Sequence, residues 1–233
     1  MPLILGLDTT TNNCSAALYN NGNIVQKFAF LPRQHNKNIH KMIQELLQEQ
    51  QVELEQLDYI AVTIGPGSFT GVRLGISVAQ GLAFGLQLKI IPVSSLAVMA
   101  CHFFTQYDDV EFVMSALDAR MQQLYWGVYS CSSNADFPFP QINLVQPEKL
   151  SNPEDIMPII DEQRFSLVGS AWDTYSASLP HELRAKKLAV LEPNSEPQAY
   201  YVVMLAAGLI TNAVAISAVE ACYLRNDVAK IAK

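Results

Sequence analysis

Three stretches of the 233-residue sequence hold residue types in patterns that chemistry uses. The first is Gly65-Pro-Gly-Ser-Phe-Thr-Gly-Val-Arg73. It follows an apolar, strand-like run and opens a helical one, so unpaired backbone N–H groups would point out of the helix start toward an anion. Ser68 or Thr70 can serve as the N-cap. A phosphate cradle is one reading. Against it, no lysine follows the glycines at Walker spacing, and they do not fall as G-x-G-x-x-G. The other reading is a tight turn whose glycines permit positive φ and close helix-to-strand packing, and spacing favours that one.

The second and third stretches are Asp8-Thr9-Thr10-Thr11 and Asp118-Ala-Arg120, each at the end of a strand-like run. Two carboxylates facing one cleft could hold a metal–nucleotide; alternatively, each aspartate caps a turn. Glycine usage separates these possibilities. Eight of the 11 glycines precede residue 86, leaving Gly127, Gly169 and Gly208 for the rest. The second half therefore lacks a Gly-rich phosphate loop and the paired glycines that would hold an adenosine. The expectation is a nucleotide site lost or never completed, with Asp8, Thr9 and Asp118 as its vestiges. No cofactor is expected. His35 and His40 are five apart, so on a helix they diverge by roughly 140°; helical zinc pairs are four apart, as in H-E-x-x-H. No metal site follows. Nothing resembles G-x-S-x-G or another organised triad, so no catalytic residue is assigned.

These stretches are positioned by a readable series of elements. Residues 3–8, 14–19 and 24–30 are strand candidates, the last two joined by Asn20-Asn21-Gly22-Asn23, a hairpin signal. Ile39, Ile43, Leu46 and Leu47, with Met42 on the shoulder, fall at helical spacing and predict a helix over 36–51. A strand at 59–64, a helix at 70–86, a strand at 88–93 and a third helix capped by Ser94-Ser95 complete the first half. Strand-strand-strand-helix-strand-helix-strand is a mixed sheet, antiparallel first and parallel later. It is the ribonuclease-H-like half-domain order of actin, hexokinase and the heat-shock ATPases, in which an Asp at the place of Asp8 works with a phosphate-holding loop. The pattern restarts near Asp108 with strands at 112–117 and 124–129, and Asp118 then stands at the equivalent place. The expected fold is an α/β, actin-like (ASKHA) pair of similar lobes with mixed sheets. The first lobe would span 1–106 and a degenerate second lobe 107–233, where Pro138, Pro140, Pro147, Pro153 and Pro158 break the pattern and a C-terminal helix can pack back on the first lobe.

Composition sets further limits. Half the residues are hydrophobic and the net charge is −7. An acidic chain lacks the footprint of a nucleic-acid binder, which neutralises phosphates with Lys and Arg. Cys14, Cys101, Cys131 and Cys222 have no zinc or redox spacing and read as reduced thiols of a cytosolic protein. The start, Met1 to Asp8, has no basic region, and an acidic residue arrives too soon for a signal peptide. Gln198 to Val219 is uncharged and long enough to span a bilayer, but Gly208 and Thr211-Asn212 interrupt it. It reads as a buried helix ending near Gly208, followed by a turn.

The 70–86 helix has too little wet surface. Val72, Ile76, Ala79 and Ala83 lie along one face, and Gly71, Gly75, Val78, Leu82 and Gly85 along another. A helix apolar nearly all round is covered on both sides. The cover is either the chain's own C-terminal region or a partner, and small residues at four-residue spacing favour a partner. Replacing Gly75 or Val78 by a large charged residue is then expected to break partner binding and spare the fold.

With Leu5-Gly-Leu-Asp-Thr-Thr-Thr11, Cys14-Ser-Ala-Ala-Leu18, Pro32-Arg-Gln-His35, the Gly65–Arg73 run continuing to Ile76, Ala79-Gln-Gly-Leu-Ala83, Asp118-Ala-Arg-Met121, Tyr125-Trp126 and Tyr223-Leu-Arg-Asn226, the chain resembles the TsaB (YeaZ) family, most closely over its first hundred residues. The resemblance implies a pseudo-enzyme subunit of the machinery that places threonylcarbamoyl on the tRNA adenosine beside the anticodon. It implies pairing with a TsaD-type subunit, which carries the ATP- and metal-dependent chemistry on a His pair this chain does not reproduce. A TsaE-type ATPase joins, tRNA is reached mainly through the complex, and the lone chain forms a homodimer. The implied contact uses the two N-terminal helices, with Ile39, Ile43, Leu46, Gly71, Gly75, Val78 and Leu82 as expected interface residues. A cytoplasmic location without membrane association is implied. The rivals are a stand-alone ATP-dependent kinase of the actin/hexokinase group and a peptidase, for which no nucleophile–base pair or zinc motif exists.

Overall fold

A computed structural model describes residues 2–134, 137–158, 165–185 and 195–225. Its first sheet is built from β1 (Ile4–Asp8), β2 (Asn13–Asn20), β3 (Asn23–Phe30), β4 (Tyr59–Thr63) and β5 (Lys89–Val93), in the order β3-β2-β1-β4-β5. β1, β2 and β3 pair antiparallel, while β4 and β5 join parallel. The β2–β3 turn places Asn21 and Gly22 at positive φ, the type I′ geometry that Asn-Gly selects. Helices α1 (His35–Glu49) and α2 (Phe69–Leu86) cover one face of this sheet, and α3 (Ser95–Phe104) runs on toward the second half.

Alternation along the strands sorts the core. Leu5, Leu7, Ile60 and Val62 pack with Ile39, Ile43, Leu46, Val72 and Ile76 of α1 and α2. Ile4, Ala61, Ile91 and Val93 face the other way, onto Val98 and Cys101 of α3 and onto α6 (Ala199–Gly208). Both faces are covered, which is why β1 and β4 read as continuous apolar runs.

The second sheet holds β6 (Phe112–Arg120), β7 (Gln123–Asn134), β8 (Phe137–Ser151) and β9 (Phe165–Val168), ordered β8-β7-β6-β9. β6–β7 and β7–β8 are antiparallel and β6–β9 parallel, repeating the β3-β2-β1-β4 part of the first sheet. This is the actin-like arrangement. Two short helices, α4 (Ala171–Thr174) and α5 (His181–Arg184), precede α6. Trp172 of α4 packs on Met114, Ala116 and Trp126, and its indole N–H donates to the carbonyls of Val168 (3.0 Å) and Met114 (3.2 Å).

The prolines of the second half were expected to break it up. Instead, Pro138, Pro140 and Pro147 lie within β8, the edge strand. Its register with β7 shifts along Leu144–Lys149 and along Phe137–Gln141. An edge strand with bulges tolerates residues that cannot donate to the ladder.

Helix α3 is buried along almost its whole length because it faces both halves. Val98 and Cys101 meet the first sheet's core, while Leu96, Met99 and Phe103 pack on Val113, Leu117, Tyr129 and Val168. His102 stacks on Tyr201 of α6, ring centroids 4.1 Å apart. Helix α6 also meets Phe137, Phe139 and Ile142 of β8. It ends at Gly208, and 3-10 turns at Ile210–Asn212 and Ile216–Ala218 lead into the final segment. Among the described residues, the helix long and apolar enough to cross a membrane is α2; its inner side belongs to the core.

Candidate docking face and cleft

The Gly-rich turn is packed against the end of β1. Thr9 Oγ1 donates to the Gly71 carbonyl at 2.7 Å, and Ser68 N–H donates to the Thr10 carbonyl at 2.7 Å. A Cβ on Gly71 would lie 2.1 Å from the Thr9 carbonyl oxygen, and one on Gly75 would lie 2.8 Å from Thr9 Oγ1. The glycines let the helix start sit on the Thr9–Thr10 backbone, where a phosphate cradle would need open space. Ser68 is the N-cap, its hydroxyl accepting from Gly71 N–H; Thr70 is inside the helix.

Asp8, Thr9 and Thr10 are fully buried. Asp8 Oδ1 accepts from Thr63 Oγ1 (2.6 Å), Thr10 Oγ1 (2.7 Å) and Thr10 N–H (3.4 Å), while Oδ2 has no hydrogen-bond partner among the described residues. Burial raises the Asp8 carboxyl from 3.8 to about 6, the three donors offsetting part of that rise. Asp118 accepts from Tyr175 Oη and Arg120 N–H, each at 2.7 Å, and pairs with the Arg120 guanidinium at 3.0 Å. Each aspartate thus organises its own strand end, and among the described residues no hydrogen bond or ion pair joins them. Nor do those residues hold a cluster of three or more His, Cys, Asp or Glu side chains suited to a metal.

The residues expected at a partner interface divide differently. Ile39, Ile43, Leu46 and Val78 are buried in the chain's own core, Gly71 and Gly75 face Thr9, and Leu82 is half-buried against the same core. None except Leu82 offers surface to a second protein. The reason is phase: the apolar stripe of an amphipathic helix turns to its sheet first, and the Thr9 backbone lies against Gly71 while the Thr9 and Val62 side chains lie against Gly75. The outward face of α2 carries Thr70, Arg73, Ser77, Gly81, Phe84 and Gly85. Phe84 is 79% exposed, and a Cβ on Gly81 or Gly85 would meet no described residue within 4 Å. In the sequence this face shows only as Gly81, Phe84 and Gly85 at helical spacing, a pattern that does not by itself distinguish it from the side of Gly71 and Gly75.

At the start of α2 the Arg73 guanidinium lies 3.7 Å from the Phe69 ring centroid, and its Nε–H donates to Tyr223 Oη at 2.8 Å. Tyr223 sits on the final described segment. Cys222 N–H donates to the Ile64 carbonyl at 2.8 Å, and Arg225 reaches the Ala119 carbonyl at 3.0 Å. This segment therefore crosses from the first sheet to the β6–β7 turn, where Arg120, Met121 and Gln122 all have positive φ. Asn226, the last residue of the Tyr-Leu-Arg-Asn motif, lies outside the described residues. Between the segment and α2 runs an open groove of about 510 Å³, bordered by Arg73, Ile76, Ser77, Gln80, Val219 and Glu220.

A buried polar junction ties the lobes together. Glu148 of β8 accepts from Tyr129 Oη at 2.6 Å and from Ser94 Oγ, and Ser94 caps α3 by accepting from Leu96 N–H (3.1 Å) and Ala97 N–H (3.4 Å). Burial raises the Glu148 carboxyl above its usual range and holds the Tyr129 phenol well above its own.

Comparisons with known proteins agree along the chain. A family model described as TsaD, tRNA N6-adenosine threonylcarbamoyltransferase, matches residues 25–233. The tRNA threonylcarbamoyladenosine biosynthesis protein TsaB of Haemophilus influenzae is 37% identical over 229 residues, covering 97% of this chain and 94% of the relative. The protein of that name from Escherichia coli is 34% identical, with coverages of 97% and 96%. Among solved structures, YeaZ from Pseudomonas aeruginosa aligns with a TM-score of 0.84 at 33% identity, over 96% of this chain and 100% of that one.

Proposed function

The chain belongs to the TsaB (YeaZ) family and takes part in tRNA threonylcarbamoyladenosine biosynthesis, and from that premise we propose that it is a non-catalytic subunit which docks a TsaD-type catalytic partner on the outward face of α2 and the adjoining surface of α1. The observation that carries this reading is the face itself: Phe84 stands almost bare between two glycines on the outward side of a helix whose inner side belongs to the core. Glycines there let a partner helix approach closely while the phenylalanine supplies the buried area.

The absence of a catalytic role rests on the cleft. The glycine turn is occupied by Thr9 and Thr10, and Asp8 and Asp118 are each held by neighbours at their own strand ends. The partner would supply the nucleotide and metal chemistry that moves threonylcarbamoyl from an adenylate to the adenosine beside the anticodon. It would also supply most of the tRNA contact, given a chain with 22 acidic and 15 basic residues. A TsaE-type ATPase completes the assembly, located in the cytoplasm. In isolation the same α2 face would pair with itself, an isologous contact.

The test is titration of the purified chain with a TsaD-type subunit, alongside calorimetry with Mg-ATP. A stoichiometric complex and no heat from nucleotide support the reading. Tight one-to-one ATP binding by the isolated chain would overturn the non-catalytic assignment.

A further inference from the structure

Arg73 is exposed yet held in one orientation by two contacts. One face of its guanidinium rests on Phe69, and Nε–H is bonded to Tyr223. Its two terminal NH2 groups have no hydrogen-bond or ion-pair partner among the described residues. A planar cation whose orientation is already fixed loses little freedom when it binds, and its free edge matches the two oxygens of an anion. Arg73 also stands on the same outward stripe of α2 as Ser77, Gly81 and Phe84.

We propose that Arg73 is a preset fork for one carboxylate, an aspartate or glutamate side chain of the TsaD-type partner, received at the head of the groove between α2 and the 216–223 segment. The proposal rests on the docking reading above and deepens it. The surroundings favour a single carboxylate over a phosphate chain. Glu220 borders the same groove and repels a polyanion. The nearby cations are engaged elsewhere: Arg120 pairs with Asp118, and Arg225 reaches the Ala119 carbonyl and Met121 sulfur. A nucleic-acid backbone needs several free cations in a row; among the described residues lining this groove the cation is Arg73 alone, beside the apolar Ile76, Val219 and Ala221, a setting suited to a protein side chain.

The experiment titrates a TsaD-type subunit into the full chain at two salt concentrations, with the variants Arg73→Gln, Arg73→Lys, Tyr223→Phe and Gly81→Arg. Arg73→Gln is expected to weaken the complex by about tenfold or more and to flatten its salt dependence. Arg73→Lys should keep the charge and salt response but lose part of the affinity. Tyr223→Phe, which only frees the guanidinium, should cost a few-fold. If Gly81→Arg abolishes the complex while Arg73→Gln binds like the parent, the fork is wrong and the docking face stands. If neither matters, both fail. Should Arg73→Gln leave the partner's affinity unchanged but abolish retention of tRNA by the chain on a filter, the ligand is RNA and the carboxylate proposal is overturned.

Discussion

Gly6 and Val203 meet with no room for a methyl group: a Cβ on residue 6 of β1 would lie 2.4 Å from Cγ1 of Val203 on α6. The Ala199 carbonyl and the Val203 amide would stand 3.4 Å away, so the helix backbone closes the same space. The C-terminal helix can seat on the first sheet only because β1 is bare at this point.

Gly6→Ala should therefore destabilise the fold by about 1–3 kcal/mol, the usual cost of overpacking. Adding Val203→Ala should return part of that loss, since the clash is with the valine's own methyl. Urea denaturation of the two single variants and the double variant measures the coupling.

Asp8 gives the fold a pH dependence of unusual sign. Its carboxyl titrates near 6 in the folded chain against 3.8 as the ordinary value. Between those limits the folded state holds more protons than the unfolded one, so this group's contribution falls as pH rises through that window, by up to about 3 kcal/mol. Asp8→Asn removes that dependence. Relative to the parent, its stability should improve from pH 4 to pH 7; chemical denaturation across that range checks the slope, and a parallel pair of curves would refute it.

Substitutions on α2 should split by face. Gly75→Arg must displace Thr9 Oγ1 and Val62, and should lose the fold along with any binding. Phe84→Asp removes an exposed ring and should leave the melting temperature unchanged while preventing complex formation. Circular dichroism melts beside partner titrations distinguish the two behaviours.

Two adjacent serines should respond in opposite ways. Ser94→Ala removes the cap of α3 and one of the two donors on Glu148, an expected loss of about 1–2 kcal/mol. The Ser95 hydroxyl is buried without a hydrogen-bond partner among the described residues, so Ser95→Ala should be neutral or stabilising. Thermal unfolding of both variants checks the contrast.

Much of this was legible before any coordinates. The Asn-Gly hairpin, the periodic α1 and the capped α3 each follow from a local rule, and they appear within a residue or two of the expected bounds. β8 was obscured because proline argues against a strand unless the strand is known to lie at an edge, and edges are set by topology. The phase of α2 was obscured because glycine is small for two unlike reasons. At Gly71 the Thr9 backbone and at Gly75 the Thr9 and Val62 side chains fill the space, whereas at Gly81 and Gly85 no described residue does. The Arg73–Tyr223 bond spans 150 positions, and no local pattern announces a contact of that reach.

Helix α3 has a consequence for motion. Two-lobed nucleotide enzymes work by swinging one lobe against the other about a hinge. Here Leu96, Met99 and Phe103 are sunk in one lobe while Val98 and Cys101 on the same helix are sunk in the other. Swinging would tear a packed apolar surface on one side or the other, and interiors packed at crystal density do not shear cheaply. Packing of this one helix into both cores ties the angle between the two sheets to the fold itself. Amide exchange along α3 should therefore occur only through global unfolding.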